Sequence, residues 1–235
     1  MSDVDQAGHA PARAFLSGLV QALPIVLGYF PIAFSFGVAA TRAGLTGYEA
    51  VFLSLVIYAG ASQFLALALV TSGAPALVAA FTLIAMNVRH VLYGPALMKQ
   101  AGSAAGRRLA WAWAWGLTDE VFGQALGALS RGQRFSESYM FGLGLAAYAA
   151  WVSGTAAGAL AGGGALEAFP ALNAGLGFML SALFLSLLMS IMTRTALPAI
   201  AVAAVATVAG TLAVSSTAGI LAGMICGALA GMVRK

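Results

Sequence analysis

Charge is what this sequence most lacks. Asp, Glu, Lys and Arg together make up 8% of its 235 residues, where a soluble domain carries roughly 25%. So few charges cannot cover a water-facing surface, and the solvent around most of the chain must be lipid. Cysteine is nearly missing as well: Cys226 stands alone, which excludes an intrachain disulfide and leaves the redox compartment open. No G-x-x-x-x-G-K-[ST] phosphate loop occurs, so ATP is not hydrolysed by that route. A net charge of +4, dispersed along the chain, does not make a nucleic-acid surface. No basic n-region precedes the first apolar run, and no A-x-A-like cleavage site follows it. Residues 1–13, with Asp3, Asp5 and His9, read as a short polar tail, and 14–235 as a single transmembrane domain.

What remains is apolar. Hydrophobic residues make up 61% of the chain, and the mean hydropathy is +0.95. A bilayer core about 30 Å thick takes roughly 20 apolar residues of helix. Apolar runs cover 15–40, 50–70, 76–98, 109–129, 139–160, 171–192, 197–214 and 218–233, the last two separated only by Ser215, Ser216 and Thr217. None alternates polar with apolar, as the strands of a membrane barrel do. The expected fold is therefore an all-α polytopic bundle of seven or eight spans. The 29 glycines suit close helix approach in lipid. Pro24 and Pro31 both fall in the first run, where each removes a backbone hydrogen bond. That run reads as a long kinked span or as a discontinuous helix lining a path. Residues 42–58 loosely echo 134–148, and three helices per copy would make the repeats inverted. With eight spans, the excess of Lys and Arg places both termini in the cytoplasm.

The few polar residues inside the runs carry the chemistry. Asp119 and Glu120 lie in the middle of the fourth run, and Arg89 lies in the third beside His90 and two residues after Asn87. Each such charge costs about 2.5–3.5 kcal/mol at mid-helix, so they must pair, face the bundle interior or touch water. Neighbours on a helix diverge by about 100°, so one acid should pair with Arg89 while the other faces a cavity. A structural Arg–acid pair and a role in substrate or proton handling both fit that pattern. In the second run, Ser54, Tyr58 and Ser62 recur every four residues and would share one helix face. Gly60 and Ala61 allow close packing or a local break, and Gln63 is a buried amide that needs partners. Helix packing alone also accounts for this stripe. Trp111, Trp113 and Trp115 suit an interfacial belt, Cys226 a packing position, Arg107 and Arg108 a solvated loop, and Asn173 a cap or polar contact. Glu49, Glu137 and Glu167 stand at segment ends. No catalytic constellation, metal site or cofactor is expected.

Several of these residues, in order, resemble the AzlC family of branched-chain amino acid permeases. Pro24 and Pro31 are followed by Phe34-Ser35-Phe36-Gly37 and Gly44-Leu45. Ala59-Gly60-Ala61-Ser62-Gln63-Phe64, Asn87-Val88-Arg89-His90 with Tyr93, Thr118-Asp119-Glu120 and Trp151 complete the pattern. The resemblance covers about residues 13–190. It implies the large subunit of a two-component exporter of branched-chain amino acids in a bacterial inner membrane. It also implies a small hydrophobic AzlD-like partner.

Site expectations follow from membrane physics. A zwitterionic substrate needs free helix N–H groups for its carboxylate, for which Pro24, Pro31 and Gly60-Ala61-Ser62 are candidates. Its ammonium needs an acid, Asp119 or Glu120, and its tail an apolar wall. Tyr58, Gln63 and Asn87 complete the candidate substrate residues. Arg89, His90, Asp119 and Glu120 form the candidate coupling set, since intramembrane acids serve as proton relays. A passive pore lined by the same residues is an alternative. An intramembrane hydrolase with Ser62 as nucleophile and His90 as base is another, although Ser62 does not stand in a G-x-S-x-G elbow.

Overall fold

The computed structural model describes residues 3–102, 106–162, 164, 169–171, 174, 175, 178, 182, 185, 188, 189, 192 and 194–232. Glu167, Asn173 and most of the sixth run lie outside the described residues. No strand occurs among those described. The protein is an all-α, multi-pass membrane protein. Leu23–Arg42, Ala76–Ala101 and Glu137–Ala161 are each long and apolar enough to cross a bilayer, and shorter apolar helices accompany them.

Contacts divide the chain into two units. The first comprises residues 1–67 and 83–179, the second residues 68–82 and 180–235. In the first, α1 (Asp3–Gln21) and α2 (Leu23–Arg42) follow one another across Ala22. Helix therefore begins at Asp3, inside the segment expected as a tail. The first run divides at Ala22, ahead of both prolines. Pro24 occupies the first turn of α2, where its missing N–H is one the helix would leave free anyway. Pro31 lies inside α2 without interrupting it.

The long helix α9 (Glu137–Ala161) runs parallel to α1 and α2 and forms the spine of this unit. Glycines permit the approach. A Cβ on Gly142, Gly154 or Gly158 would run into the backbone carbonyl of Phe15, Phe30 or Phe34. Lipid provides no hydrophobic drive for association, so such small-residue contacts supply the packing instead. Above this seam sits the core: Tyr29, Ala33, Val121, Leu143, Ala147 and Trp151 are among its buried members.

The second, third and fourth apolar runs depart from expectation. Each is broken near its middle. The second divides into α3 (Gly47–Val56) and α4 (Gly60–Thr71), the third into α5 (Ala76–Asn87) and α6 (His90–Ala101), and the fourth into α7 (Ala110–Trp115) and α8 (Asp119–Ser130). A helix of 10 to 12 residues is about 15–18 Å long, about half of a bilayer core. The expected single stripe of Ser54, Tyr58 and Ser62 is therefore corrected: Ser54 belongs to α3, Ser62 to α4, and Tyr58 to the break between them. The segments that echo each other in sequence also differ, since 42–58 contains this break and 134–148 leads into unbroken α9.

In the second unit, α10 (Leu197–Ala213) and α11 (Ser216–Met232) form an antiparallel hairpin. Gly219, Gly223 and Gly227 recur every four residues on α11, and a Cβ there would meet Thr211, Thr207 or Ala203 of α10. Cys226 of this hairpin is half-buried and free.

Candidate functional site

Tyr58 marks the first break. Its φ of 40° is the one positive value among described non-glycine residues, a conformation costing about 1–3 kcal/mol for such a side chain. Helix α3 starts from a capping box, with Thr46 accepting from the Glu49 amide and the Glu49 carboxylate accepting from the Thr46 amide. It ends where Ile57 N–H reaches Leu53 carbonyl, and α4 begins anew at Gly60. Gly60 is required by packing, because any Cβ there would strike the Trp151 ring.

The second break is polar. Ser62 donates to Asn87 Oδ1 at 2.9 Å, and the Asn87 amide returns to Leu83 carbonyl at 2.9 Å. His90 Nδ1 lies 3.0 Å from Asn87 carbonyl. Arg89, at the start of α6, extends to the third break, where its Nη2 lies 2.7 Å from Asp119 Oδ2. Tyr93 donates to the other oxygen of the same carboxylate, and its ring stacks on Phe122 at 4.7 Å.

The third break creates a helix start. The Thr118 side chain caps α8 by accepting from Val121 N–H, and Asp119 and Glu120 fill its first turn, where the helix dipole favours negative charge. Tyr29 Oη lies 2.5 Å from both Thr118 Oγ1 and Glu120 Oε2. It has one hydrogen to give, so it donates to the carboxylate and accepts from the threonine. The two acids thus have different surroundings. Asp119 is neutralised by Arg89, whereas no salt bridge reaches Glu120 among the described residues. Glu120 is also exposed, and in a mid-membrane run an exposed charge requires water or a partner.

All three breaks open on one groove of about 470 Å³, within the 300–1,000 Å³ range of small-molecule sites. Ile57, Tyr58 and Ala59 come from the first break, Asn87 and His90 from the second, and Trp115 and Leu117 from the third. Leu83, Ile84, Val91 and Ala114 give it an apolar wall. Discontinuous helices meeting at a cavity are the usual construction of a transporter binding site.

Of the residues picked out in sequence, Tyr58, Asn87 and His90 line this groove, and Ser62 stands behind Asn87. Arg89, Asp119 and Glu120 are grouped beside the third break. Gln63 is fully buried: it accepts from Trp151 Nε1 at 2.7 Å and donates to Ser54 at 2.8 Å, and Ser54 pairs with Thr155 at 2.7 Å. Pro31 lines a different, apolar groove with Phe30, Ala146 and Ser153. Ser62 donates to Asn87 and not to His90, so the hydrolase pairing is not assembled. Among the described residues, no three His, Cys, Asp or Glu side chains come together as a metal site would need. Tyr29, Trp115 and Tyr148 escaped the sequence reading. The capping signal at Thr118, an N-cap threonine followed by two acids, marked the third break in advance.

The AzlC protein family model matches residues 24–164, which includes the groove and the ionic cluster. The chain belongs to the AzlC family. It is 44% identical to the inner membrane protein YgaZ of Escherichia coli strain K12, over 96% of this chain and 93% of that protein. An uncharacterized membrane protein of Archaeoglobus fulgidus is 42% identical over 74% of each chain. The branched-chain amino acid transport protein AzlC of Bacillus subtilis strain 168 is 25% identical over 73% of this chain and 65% of its own length. No solved structure matches.

Proposed function

We propose that this AzlC-family protein is a secondary carrier that exports branched-chain amino acids across the inner membrane in exchange for protons. The observation that carries the reading is the convergence of three helix breaks on one groove beside the only described salt bridge. The substrate class is drawn from the name of the Bacillus relative and agrees with the groove's chemistry. A branched-chain amino acid is a zwitterion with an aliphatic tail. The free N–H groups at the start of α4, around Gly60, Ala61 and Ser62, suit its carboxylate. Glu120, without a cation of its own, suits the ammonium or a transported proton. Leu83, Ile84, Val91 and Leu117 suit the tail. A small AzlD-like subunit completes the transporter, a component of the reading that rests on the family resemblance.

Counterflow in proteoliposomes tests the reading. Labelled leucine should enter faster when unlabelled leucine is loaded on the far side, with or without the small partner. A rate indifferent to trans substrate would mean a passive pore, and no leucine flux at all would overturn the assignment.

A further inference from the structure

Three tyrosines surround the groove, and two have settled partners. Tyr29 is bonded to Thr118 and Glu120, and Tyr148 donates to Leu55 carbonyl at 3.0 Å. Tyr58 has none: its hydroxyl is the one buried side-chain polar atom left unbonded among the described residues. The residue is only 5% exposed. Its ring is fixed by stacking on Trp115 at 5.8 Å and by an edge contact with Tyr148 at 4.9 Å, so it cannot swing away to find a partner. Its backbone holds the strained φ of 40°. A strained residue that presents an unsatisfied buried hydroxyl at a groove calls for an external partner.

The surroundings say which kind. Glu120 is the charged group whose field reaches this hydroxyl, so an anion between them would be repelled. An ammonium carries three donors and no acceptor, and it fits between a phenolic oxygen and a carboxylate. We propose that Tyr58 and Glu120 together receive the ammonium group of the transported molecule. This rests on the groove being the substrate site and adds to it the residue that reads one end of the substrate. Primary amines, with or without a carboxylate, are the ligand class implied.

The test compares the purified full-length chain with Tyr58→Phe and Tyr148→Phe, by thermal protection with three compounds. L-leucine has both charged groups, 3-methylbutylamine only the ammonium, and 4-methylpentanoate only the carboxylate. Tyr58→Phe deletes an unbonded hydroxyl, so without ligand it should melt no lower than wild type. Its affinity for leucine and 3-methylbutylamine should fall by about 10- to 100-fold, the loss of one hydrogen bond to a charged group. Its affinity for 4-methylpentanoate should not change. Tyr148→Phe should melt lower and keep wild-type affinities. If wild type binds leucine and Tyr58→Phe binds it equally well, the Tyr58 assignment fails while the groove stands. A selective loss of 4-methylpentanoate binding, or an unliganded Tyr58→Phe that melts well below wild type, also overturns it. If none of the three compounds protects wild type, the groove reading falls and the Tyr58 assignment falls with it.

Discussion

Two polar networks lie within one unit of this protein, and they are built on opposite terms. Trp151, Gln63, Ser54 and Thr155 form a closed chain, with the last three wholly buried and every amide and hydroxyl contact made inside the protein. Arg89, Asp119, Tyr93, Glu120 and Tyr29 form an open one. Its arginine side chain is 47% exposed, Asp119 is 28% exposed, and Glu120 has no cation beside it. A closed network fixes neighbouring helices and offers nothing to a ligand. An open network at helix breaks retains bonding capacity for something that comes and goes. Both sit in runs that look uniformly apolar in sequence, and what separates them is whether the surrounding helix is continuous.

The sharpest way to break this comparison is to disturb the scaffold on which both networks depend. Gly158→Leu would drive a side chain into the Phe34 backbone, and backbone cannot move aside as a flexible side chain can. No folded monomer should survive size-exclusion in detergent, whereas Gly28→Ala, which meets nothing within 4 Å, should elute as wild type.

Opening the ion pair comes next. Arg89→Ala leaves Asp119 uncompensated. The pair is partly exposed, so the loss should fall between the surface and buried limits, about 1–3 kcal/mol. Leucine flux should fall at least tenfold, and Arg107→Ala, in an exposed loop, should leave both stability and flux unchanged. Equal, mild effects from the two variants would contradict the pairing.

Gln63→Leu should sharpen the contrast with a smaller effect. It strands the Trp151 indole N–H, at about 1–3 kcal/mol, which thermal unfolding would register. Leucine affinity per folded molecule should not move, because this network does not face the groove. A loss of affinity without a loss of stability would place Gln63 in the site after all.

The sequence made the class of fold plain, because a charge-poor, unalternating chain has no soluble solution. It also brought Arg89 and the two acids to notice through their cost in lipid. The breaks were harder to see. Mean hydropathy runs straight through Ala59, Val88 and Leu117, and a window that averages apolarity cannot register a change in backbone direction. Local capping chemistry could: Thr118-Asp119-Glu120 reads as a helix start, and Thr46 with Glu49 does so at α3. The closed network was legible only as a need, since Gln63 had to find partners, but which ones depended on Trp151 and Thr155 of the distant α9. Tyr58 was placed on a helical stripe because period alone cannot reveal a positive φ.

The central claim is that the open network couples substrate to protons through Glu120, while Asp119 is held by Arg89. It is tested most directly by leucine flux into proteoliposomes under an imposed pH gradient, with wild type, Asp119→Asn and Glu120→Gln. Wild type should show gradient-driven flux. Glu120→Gln should lose it and still exchange leucine for leucine at raised substrate concentration. If Glu120→Gln and Asp119→Asn both keep wild-type gradient-driven flux, neither acid couples protons and the account is wrong.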